Sequence, residues 1–314
     1  MITKANFTFG PHGAIRELTG EIAQWWQNAV VRGGVVGLSG GIDSATVIQL
    51  MWLAAHNNRS RERVAHVVGV VMPSSANHPM DGAYGIKAAQ AAGITHFVFL
   101  RESDHYLYVD LFREVDQLHF GSEINLKSLL AEHDLCLVIP IQEVADAMIA
   151  TVPWVLEDKF HIGNLYSEIR AKILSRIAGD LNLLVMGTGN WDEDYVLGYF
   201  TKRGDGAVDN NILGRLPKRL VRLLARVILV PVEIIQRVPT AGLWFGQTDE
   251  GELGFSYELA ESVWRGIMLN MGYQSIATEL GCSVELIEKI VKMNEQTQHK
   301  RELPLVGGVT LVYR

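Results

Sequence analysis

The sequence predicts an α/β protein built on a doubly wound, open parallel sheet with helices on both faces. Short apolar stretches alternate with segments of helical periodicity along most of the chain. The apolar stretches, such as "RVAHVVGVVMP" at 63–73, are largely apolar without alternation, which is typical of parallel strands covered on both faces. A glycine-rich corner, "SGGIDS" at 39–44, follows the first strand, at the edge where such sheets bind ligands.

The first hundred residues contain three predicted strands, each preceded or followed by a helix. Helical spacing at 13–33 leads into a strand at 35–39, and a helix at 44–56 follows with Asp43 or Ser44 as its expected N-cap. A strand at 63–73 leads to a helix at 82–93, which Asp81 is expected to cap, and then to a strand at 94–100. This alternation indicates parallel pairing.

The rest of the chain returns to the same alternation after an interruption. Residues 101–135 are polar and are predicted to be an insertion, read as helical excursions outside the sheet. Strand and helix resume at 135–152, followed by a helix at 164–181 and a strand at 182–190. A helical C-terminal segment is expected from about 258 to 314, and no linker divides the chain, so we predict a single domain over 1–314.

Composition and charge exclude several functional classes. The chain has 314 residues, is 48% hydrophobic and carries a formal net charge of −7, which argues against a nucleic-acid partner. No apolar run reaches the roughly 18–20 residues of a membrane span, and no secretory signal is evident, so a cytoplasmic protein is expected. Cys136 and Cys282 are too few for a disulfide framework or a cysteine-based zinc site.

The glycine-rich corner is compatible with an anion-binding loop and with a nucleophile elbow. It lacks the lysine of a Walker A loop and the spacing of a dinucleotide fingerprint. Residues 37–41 do satisfy G-x-S-x-G, which would make Ser39 a nucleophile, although no downstream histidine stands in a favourable context. Small residues that allow close backbone approach, hydroxyl donors and a carboxylate suit a phosphate with a hard cation better.

The run S-G-G-I-D-S resembles the pyrophosphate loop of the ATP pyrophosphatases. The resemblance implies that the loop binds the phosphates of ATP and that Asp43 is a metal ligand. The residues implied in phosphate binding are Gly37, Ser39, Gly40, Gly41 and Ser44.

Four further stretches, in order, resemble NAD synthetase, so that the similarity spans almost the whole chain. They are "GTGN" at 187–190 with Glu193 close behind, "GYFTKRGDG" at 198–206, "PTAGLWFGQTDEGELGFSY" at 239–257 and "HKR" at 299–301. The resemblance implies ATP-dependent amidation of deamido-NAD to NAD⁺ through an adenylated intermediate, with release of AMP and pyrophosphate. The alternatives are a relative that amidates or thiolates another substrate, including tRNA, and a non-catalytic nucleotide-binding relative.

The resemblance also implies roles for individual residues. Asp43 and Glu193 are the expected Mg²⁺ ligands, with Asp194 as the alternative to Glu193. Thr188, Lys218 and Thr240 match positions that contact ATP, and the catalytic group is expected to comprise Asp43, Asp205 and Lys218. The residues matched to the deamido-NAD site are Arg170, Tyr199, Phe200, Lys202, Asp205, Asp209, His299 and Lys300.

Three positions depart from the family pattern. The resemblance also bears on the nitrogen source and on the assembly. Glu168 replaces an arginine, Ala207 a glycine and Ile212 a proline, which leaves the detail of the substrate open. Only 38 residues precede the loop, so no amidase domain is expected, and ammonia is expected to be free or supplied by a separate subunit. The family resemblance also implies a homodimer.

Overall fold

A computed structural model describes residues 10–57, 65–100, 106–110, 119–121, 124–151, 159–240, 242, 244 and 246–303. The strands are β1 (Gly33–Gly37), β2 (His66–Val71), β3 (His96–Leu100), β4 (Tyr106–Asp110), β5 (His119–Gly121), β6 (Leu135–Val138), β7 (Leu184–Gly187) and β8 (Asn210–Asn211). Within the described ranges they form one sheet in the order β5-β4-β3-β6-β2-β1-β7-β8. Pairing is parallel from β3 to β8, which confirms the predicted fold class.

The helices follow the strands in the expected alternation. They are α1 (Pro11–Asn28), α2 (Ile42–His56), α3 (Asp81–Ala91), α4 (Leu126–Glu132), α5 (Gln142–Thr151), α6 (Lys159–Leu181), a π-helix (Trp191–Leu197), α7 (Lys218–Val227), α8 (Val232–Ile235), α9 (Asp249–Leu253), α10 (Tyr257–Met268), α11 (Tyr273–Leu280), α12 (Val284–Gln296) and α13 (Gln298–Arg301). A search of the described helices found none with the length and apolar character needed to cross a membrane.

Both faces of the sheet are buried at the central strands β1 and β2, as their unbroken apolar sequences indicate. Val36 joins the core under α1, α2 and α7, whereas the adjacent Val35 joins the core under α5 and α6. Neither valine is exposed to solvent. Successive side chains of a strand point to opposite faces, so a strand covered on both faces must be apolar at every position.

The predicted insertion contributes to the sheet rather than lying outside it. β4 pairs antiparallel with β3, and β5 pairs antiparallel with β4, so the helical reading of these two segments was wrong. The sequence of β4, "YLYVD", is rich in the aromatic and β-branched residues that favour strands, but its polar surroundings masked this signal. Residues 101–105, 111–118 and 122–123, and 304–314 of the C-terminal segment, lie outside the described residues; the single domain remains a prediction.

The start of α2 differs from the expectation in a way that shapes the cavity described below. Gly41 is the N-cap, without a side-chain cap, and Asp43 lies inside the first helical turn. The carboxylate of Asp43 therefore does not cap the backbone N–H groups of its own helix. It is available to groups across the edge of the sheet.

Histidines and a carboxylate cluster at the other edge of the sheet, where the parallel strands begin. The Asp134 carboxylate accepts the backbone N–H of Val67 at 2.7 Å and lies 3.2 Å from Nε2 of His56. The buried His66 lies beside the same carboxylate, with 4.0 Å between Nδ1 and Oδ1. This cluster makes the stability of the fold sensitive to pH.

We predict that His66 destabilises the fold when the pH falls below the pKa that this histidine has in the unfolded chain. Burial, followed by the charge of Arg32, lowers the pKa of His66 from its ordinary 6.5. Below about pH 6.5 the unfolded chain therefore binds the proton first, and the free energy of unfolding decreases as the pH falls towards the folded pKa. Between pH 7.5 and 5.5, the midpoint temperature of thermal unfolding should decrease less for His66→Gln than for the unmodified protein.

The matched control for this measurement is His12→Gln, at an exposed histidine on α1. Burial raises the pKa of Asp134, which acts in the opposite direction and is common to all three proteins. A pH profile of His66→Gln parallel to that of the unmodified protein would contradict the assignment.

Candidate active site

A cavity of about 590 Å³ opens at the carboxyl ends of β1, β2 and β7. Its wall is completed by the start of α2, by α6, by the π-helix, by a segment at 198–208, by residues 237–240 and by Gly242. This is the edge of an open parallel sheet at which ligands bind. The cavity therefore lies where the glycine-rich corner predicts a ligand.

The side chains of the glycine-rich loop hold its backbone open towards the cavity. The Ser39 hydroxyl accepts the N–H of Gly41 at 3.2 Å and lies 3.2 Å from the hydroxyl of Ser44. Ser44 in turn donates to the carbonyl of Gly41 at 3.1 Å. The first turn of α2 follows directly, and its N-terminal dipole favours an anion at this place.

Gly40 is fixed from behind by an arginine. Its φ of +76° is in the left-handed region, and an added Cβ would lie 2.6 Å from the carbonyl oxygen of Asp81. Arg237 donates from Nη1 to the carbonyl of Gly40 at 2.7 Å, pairs with Asp81 and lies over the ring of Tyr84. The arginine thus holds the loop against α3.

The centre of the cavity contains two carboxylates joined by one ammonium group. Nζ of Lys218, the first residue of α7, lies 2.5 Å from Oδ2 of Asp43 and 2.8 Å from Oε1 of Glu193. Lys218 is only 3% exposed. Three residues from α2, the π-helix and α7 therefore meet at one point, with one more negative than positive charge.

The protonation of this centre is set by burial and by the ion pairs. Burial raises the pKa of the Glu193 carboxyl, with Lys218 opposing the shift and Asp43 adding to it. Burial alone would lower the pKa of Lys218, but attraction to Asp43 and Glu193 outweighs it and raises that pKa. These attractions favour the protonated form of Lys218, and an added cation would favour the ionised form of the Glu193 carboxyl.

The π-helix positions three consecutive acids towards three different donor groups, two of which belong to Lys218. Asn190 caps it, accepting the N–H groups of Asp192 and Glu193 at 3.1 Å each, and donates to Oδ1 of Asp43 at 3.2 Å. Asp192 accepts the backbone N–H of Lys218 at 2.7 Å. Asp194 turns away to the amide of Asn211, so Glu193 is the acid that faces Asp43.

A second polar region lies on the α6 side of the cavity. Asp205 accepts the backbone N–H of Thr201 and the hydroxyl of Ser167, both at 2.9 Å. The residue as a whole is exposed, but desolvation by the surrounding protein raises the pKa of its carboxyl above the usual range. Nearby, Arg170 donates to Oδ1 of Asn77 at 3.0 Å. These groups offer an acid of raised pKa and a fixed guanidinium.

Most residues that the resemblance singles out line this cavity. They are Gly37, Ser39, Gly41, Asp43, Ser44, Arg170, Thr188, Glu193, Tyr199, Phe200, Asp205, Lys218, Thr240 and Lys300. Among the described residues, no histidine lines it, so Ser39 has no base there for the role of a nucleophile elbow. The cavity is therefore built for binding and charge neutralisation.

The other predicted residues lie outside the cavity wall. Gly40 faces Arg237, and Asp209 accepts the N–H of Val185 at 2.7 Å. Lys202 donates to the carbonyls of His299 and Glu302, the latter at 2.9 Å, and Nδ1 of His299 lies 3.1 Å from the carbonyl of Gln296. Their roles in binding remain predictions.

The three departures from the family pattern occupy different surroundings. Glu168 lies half-buried on α6 and is absent from the described wall, Ile212 is buried in the core, and Ala207 lines the cavity. The reversed charge at Glu168 therefore does not reach into the cavity.

Sequence reasoning missed Arg237, Asn190 and Asp192. Asn190 stands before a run of acids, which is an N-cap signal that the "GTGN" motif contains. Asp192 and Arg237 gave no signal, because their partners are 26 and 197 residues away.

The comparisons with known proteins agree with this geometry. The model of the NAD synthase family matches residues 14–114 and 122–304. The NH(3)-dependent NAD(+) synthetase of Thermococcus kodakarensis is 35% identical over 293 residues, 93% of this chain and 95% of that protein. That of Pyrococcus furiosus is 34% identical over 275 residues, 87% of each chain.

A solved structure extends the similarity to three dimensions. The NMN synthetase of Francisella tularensis superposes with a TM-score of 0.72 at 25% identity, covering 96% of this chain and 100% of that one. The family match, the relatives and the position of the loop and the acid–lysine centre lead to one conclusion. The chain belongs to the NAD synthase family.

Proposed function

We propose that this protein is an ATP-dependent ligase that converts deamido-NAD to NAD⁺ with ammonia. The observation that carries the proposal is the Asp43–Lys218–Glu193 centre beside the glycine-rich loop, in a chain that matches the NAD synthase family. The nicotinate carboxylate attacks the α-phosphorus of ATP and pyrophosphate leaves. Ammonia then attacks the activated carbonyl carbon, the C–O bond to AMP breaks, and the amide forms.

The chain's contribution to the first step is phosphate binding and charge neutralisation. The glycine-rich loop leads directly into the start of α2, whose first N–H groups and N-terminal dipole are assigned to phosphate oxygens, with Ser39 and Ser44 as further donors. We propose that the Lys218 ammonium neutralises the negative charge that develops on pyrophosphate as it departs. Thr188 and Thr240, which both line the cavity, are assigned to the same nucleotide.

We propose Mg²⁺ as the metal, held by Asp43 and Glu193. Hard carboxylate oxygens fit this ion, which is usually bound by one or two carboxylates together with phosphates and water. Over the described residues no group of three or more His, Cys, Asp or Glu is arranged to hold a metal. Asp43 and Glu193 would therefore hold the ion together with the phosphates of the substrate and water. When bound, Mg²⁺ supplies neutralisation of phosphate charge.

The dinucleotide is assigned to the α6 side of the cavity. Arg170 is positioned for an anionic group, and Tyr199 and Phe200 for the pyridine ring. Asp205, with its raised pKa, is assigned to receive a proton from the attacking ammonia.

Assembly and compartment are proposed on the same family basis. A homodimer is consistent with Val144 and Met148, which are 47% and 41% exposed one turn apart on α5. A cytoplasmic location, the absence of nucleic-acid and membrane partners, and a separate ammonia-supplying subunit remain predictions.

A direct assay tests the proposal. The purified protein with ATP, Mg²⁺, deamido-NAD and ammonium should form NAD⁺ with equal amounts of AMP and pyrophosphate. Glutamine in place of ammonium should give no product. Absence of NAD⁺ with ammonium, while ATP still binds, would contradict the assignment.

A second candidate substrate is the deamidated mononucleotide. The likeness to an NMN synthetase at a TM-score of 0.72 favours including it. Parallel assays with nicotinate mononucleotide and deamido-NAD compare the two through kcat/KM, and the dinucleotide is expected to have the higher value. The reverse order would assign the mononucleotide instead.

A further inference from the structure

The C-terminal helices hold the end of the π-helix through side-chain hydrogen bonds. Nδ2 of Asn294, on α12, donates to the carbonyls of Tyr195 at 2.6 Å and Val196 at 2.9 Å. The last carbonyls of a helix have no partner within it and need donors from elsewhere. Asn294 provides those donors for the π-helix.

Lys300, on α13, continues this set of contacts beyond the π-helix. Its ammonium donates to the carbonyls of Gly198 at 2.9 Å and Phe200 at 2.7 Å. In the opposite direction, Lys202 donates to the carbonyl of Glu302 at 2.9 Å. The segment 195–202 and the C-terminal helices are thus joined by bonds from both sides.

The turn that these bonds fix is connected directly to the backbone of Glu193. Gly198 has a φ of +60°, and its N–H bonds to the carbonyl of Glu193. The N–H of Tyr199 bonds to the same carbonyl at 2.8 Å. A Cβ at Gly198 would lie 2.0 Å from the Thr297 hydroxyl, so the turn lies closely against the end of α12.

We propose that α12 and α13 form a clamp that positions Glu193, with Asn294 and Lys300 as positioning residues of the active site. The inference rests on the proposed function, because it assigns Glu193 to the metal. Lys300 then acts on backbone carbonyls and is not a ligand of the dinucleotide. The "HKR" segment therefore supports the position of Glu193 instead of binding the dinucleotide.

Asn294 distinguishes this role from direct binding. It is not among the described residues that line the cavity, whereas Lys300 is. A loss of function on changing Asn294 must therefore be transmitted through the π-helix. Residues that orient metal ligands typically contribute about 10–100-fold to metal affinity or activity.

The experiment compares Asn294→Leu and Lys300→Met with Lys292→Met, a matched change at an exposed lysine of α12. Steady-state kinetics and calorimetric titration with Mg·ATP are measured for each, with thermal unfolding as the check on folding. We expect both clamp variants to lose roughly tenfold in kcat and in affinity for Mg·ATP. Any rise in the KM for deamido-NAD, which follows from the contact with Phe200, should be smaller than the loss of affinity for Mg·ATP, and Lys300→Arg should retain most of the activity.

A rise only in the KM for deamido-NAD in Lys300→Met, with Asn294→Leu unaffected, would overturn the clamp and make Lys300 a substrate ligand. Behaviour of both variants like Lys292→Met would also overturn it. If Asn294→Leu does not fold, the Lys300→Met and Lys300→Arg pair still decides. If the unmodified protein forms no NAD⁺, the proposed function fails, and the Mg·ATP titrations still test the clamp.

Discussion

Asp43→Asn is expected to reduce the rate of NAD⁺ formation by roughly a hundredfold or more. A metal that neutralises phosphate charge contributes several kcal/mol, and each 1.4 kcal/mol corresponds to about tenfold in rate. Asparagine keeps one oxygen that can accept from Lys218, but its amide nitrogen cannot accept from Asn190, so the change removes the charge and one of the two hydrogen bonds. Steady-state assays at several Mg²⁺ concentrations measure the effect.

The control for this variant is Asp180→Asn. Asp180 is an exposed acid on α6, paired with Arg176 at 2.8 Å and remote from the cavity wall. Its replacement should leave the rate unchanged. Equal rates for Asp43→Asn and Asp180→Asn would remove Asp43 from the reaction.

Lys218→Met should have the second large effect, on stability as well as on activity. It leaves the Asp43 and Glu193 carboxylates facing one another without their cation. Removing one partner of a buried ion pair costs about 3–5 kcal/mol, and we expect a loss of that order in urea unfolding with EDTA present. Activity should fall strongly because the charge of the leaving pyrophosphate is less well neutralised.

Added Mg²⁺ provides the internal test of this explanation. A divalent cation that replaces the missing ammonium should stabilise Lys218→Met more than it stabilises the unmodified protein. Lys172→Met, at an exposed lysine of α6, is the matched control and should respond as the unmodified protein does. Equal stabilisation of all three proteins by Mg²⁺ would contradict the arrangement.

The parallel part of the fold was predictable because its signals are local. Strands buried on both faces are apolar throughout, and the helices between them have their own periodicity. The antiparallel strands β4 and β5 were missed because the polar residues around them masked the local strand pattern, and because they only extend the parallel part of the sheet beyond β3.

The acid–lysine centre shows a different limit of sequence reasoning. The motif resemblance identified Asp43, Glu193 and Lys218 as site residues, but it did not predict the contacts between them. The resemblance did not decide whether Glu193 or Asp194 is the metal ligand. The two residues are adjacent in the sequence, and only the direction of each side chain distinguishes them. The structure turns Asp194 to Asn211 and Glu193 to Lys218, and this depends on the π-helix and its Asn190 cap.

Because of the π-helix, the number of residues in this stretch matters as well as their identity. Trp191–Leu197 contains a wider turn than an α-helix would have. Deleting one residue would rotate everything after it by about 100°, the angle between successive residues of an α-helix. Tyr199 and Phe200 would then leave the cavity wall that they now line. Substitutions at exposed positions here are therefore tolerable, whereas single-residue insertions and deletions are not.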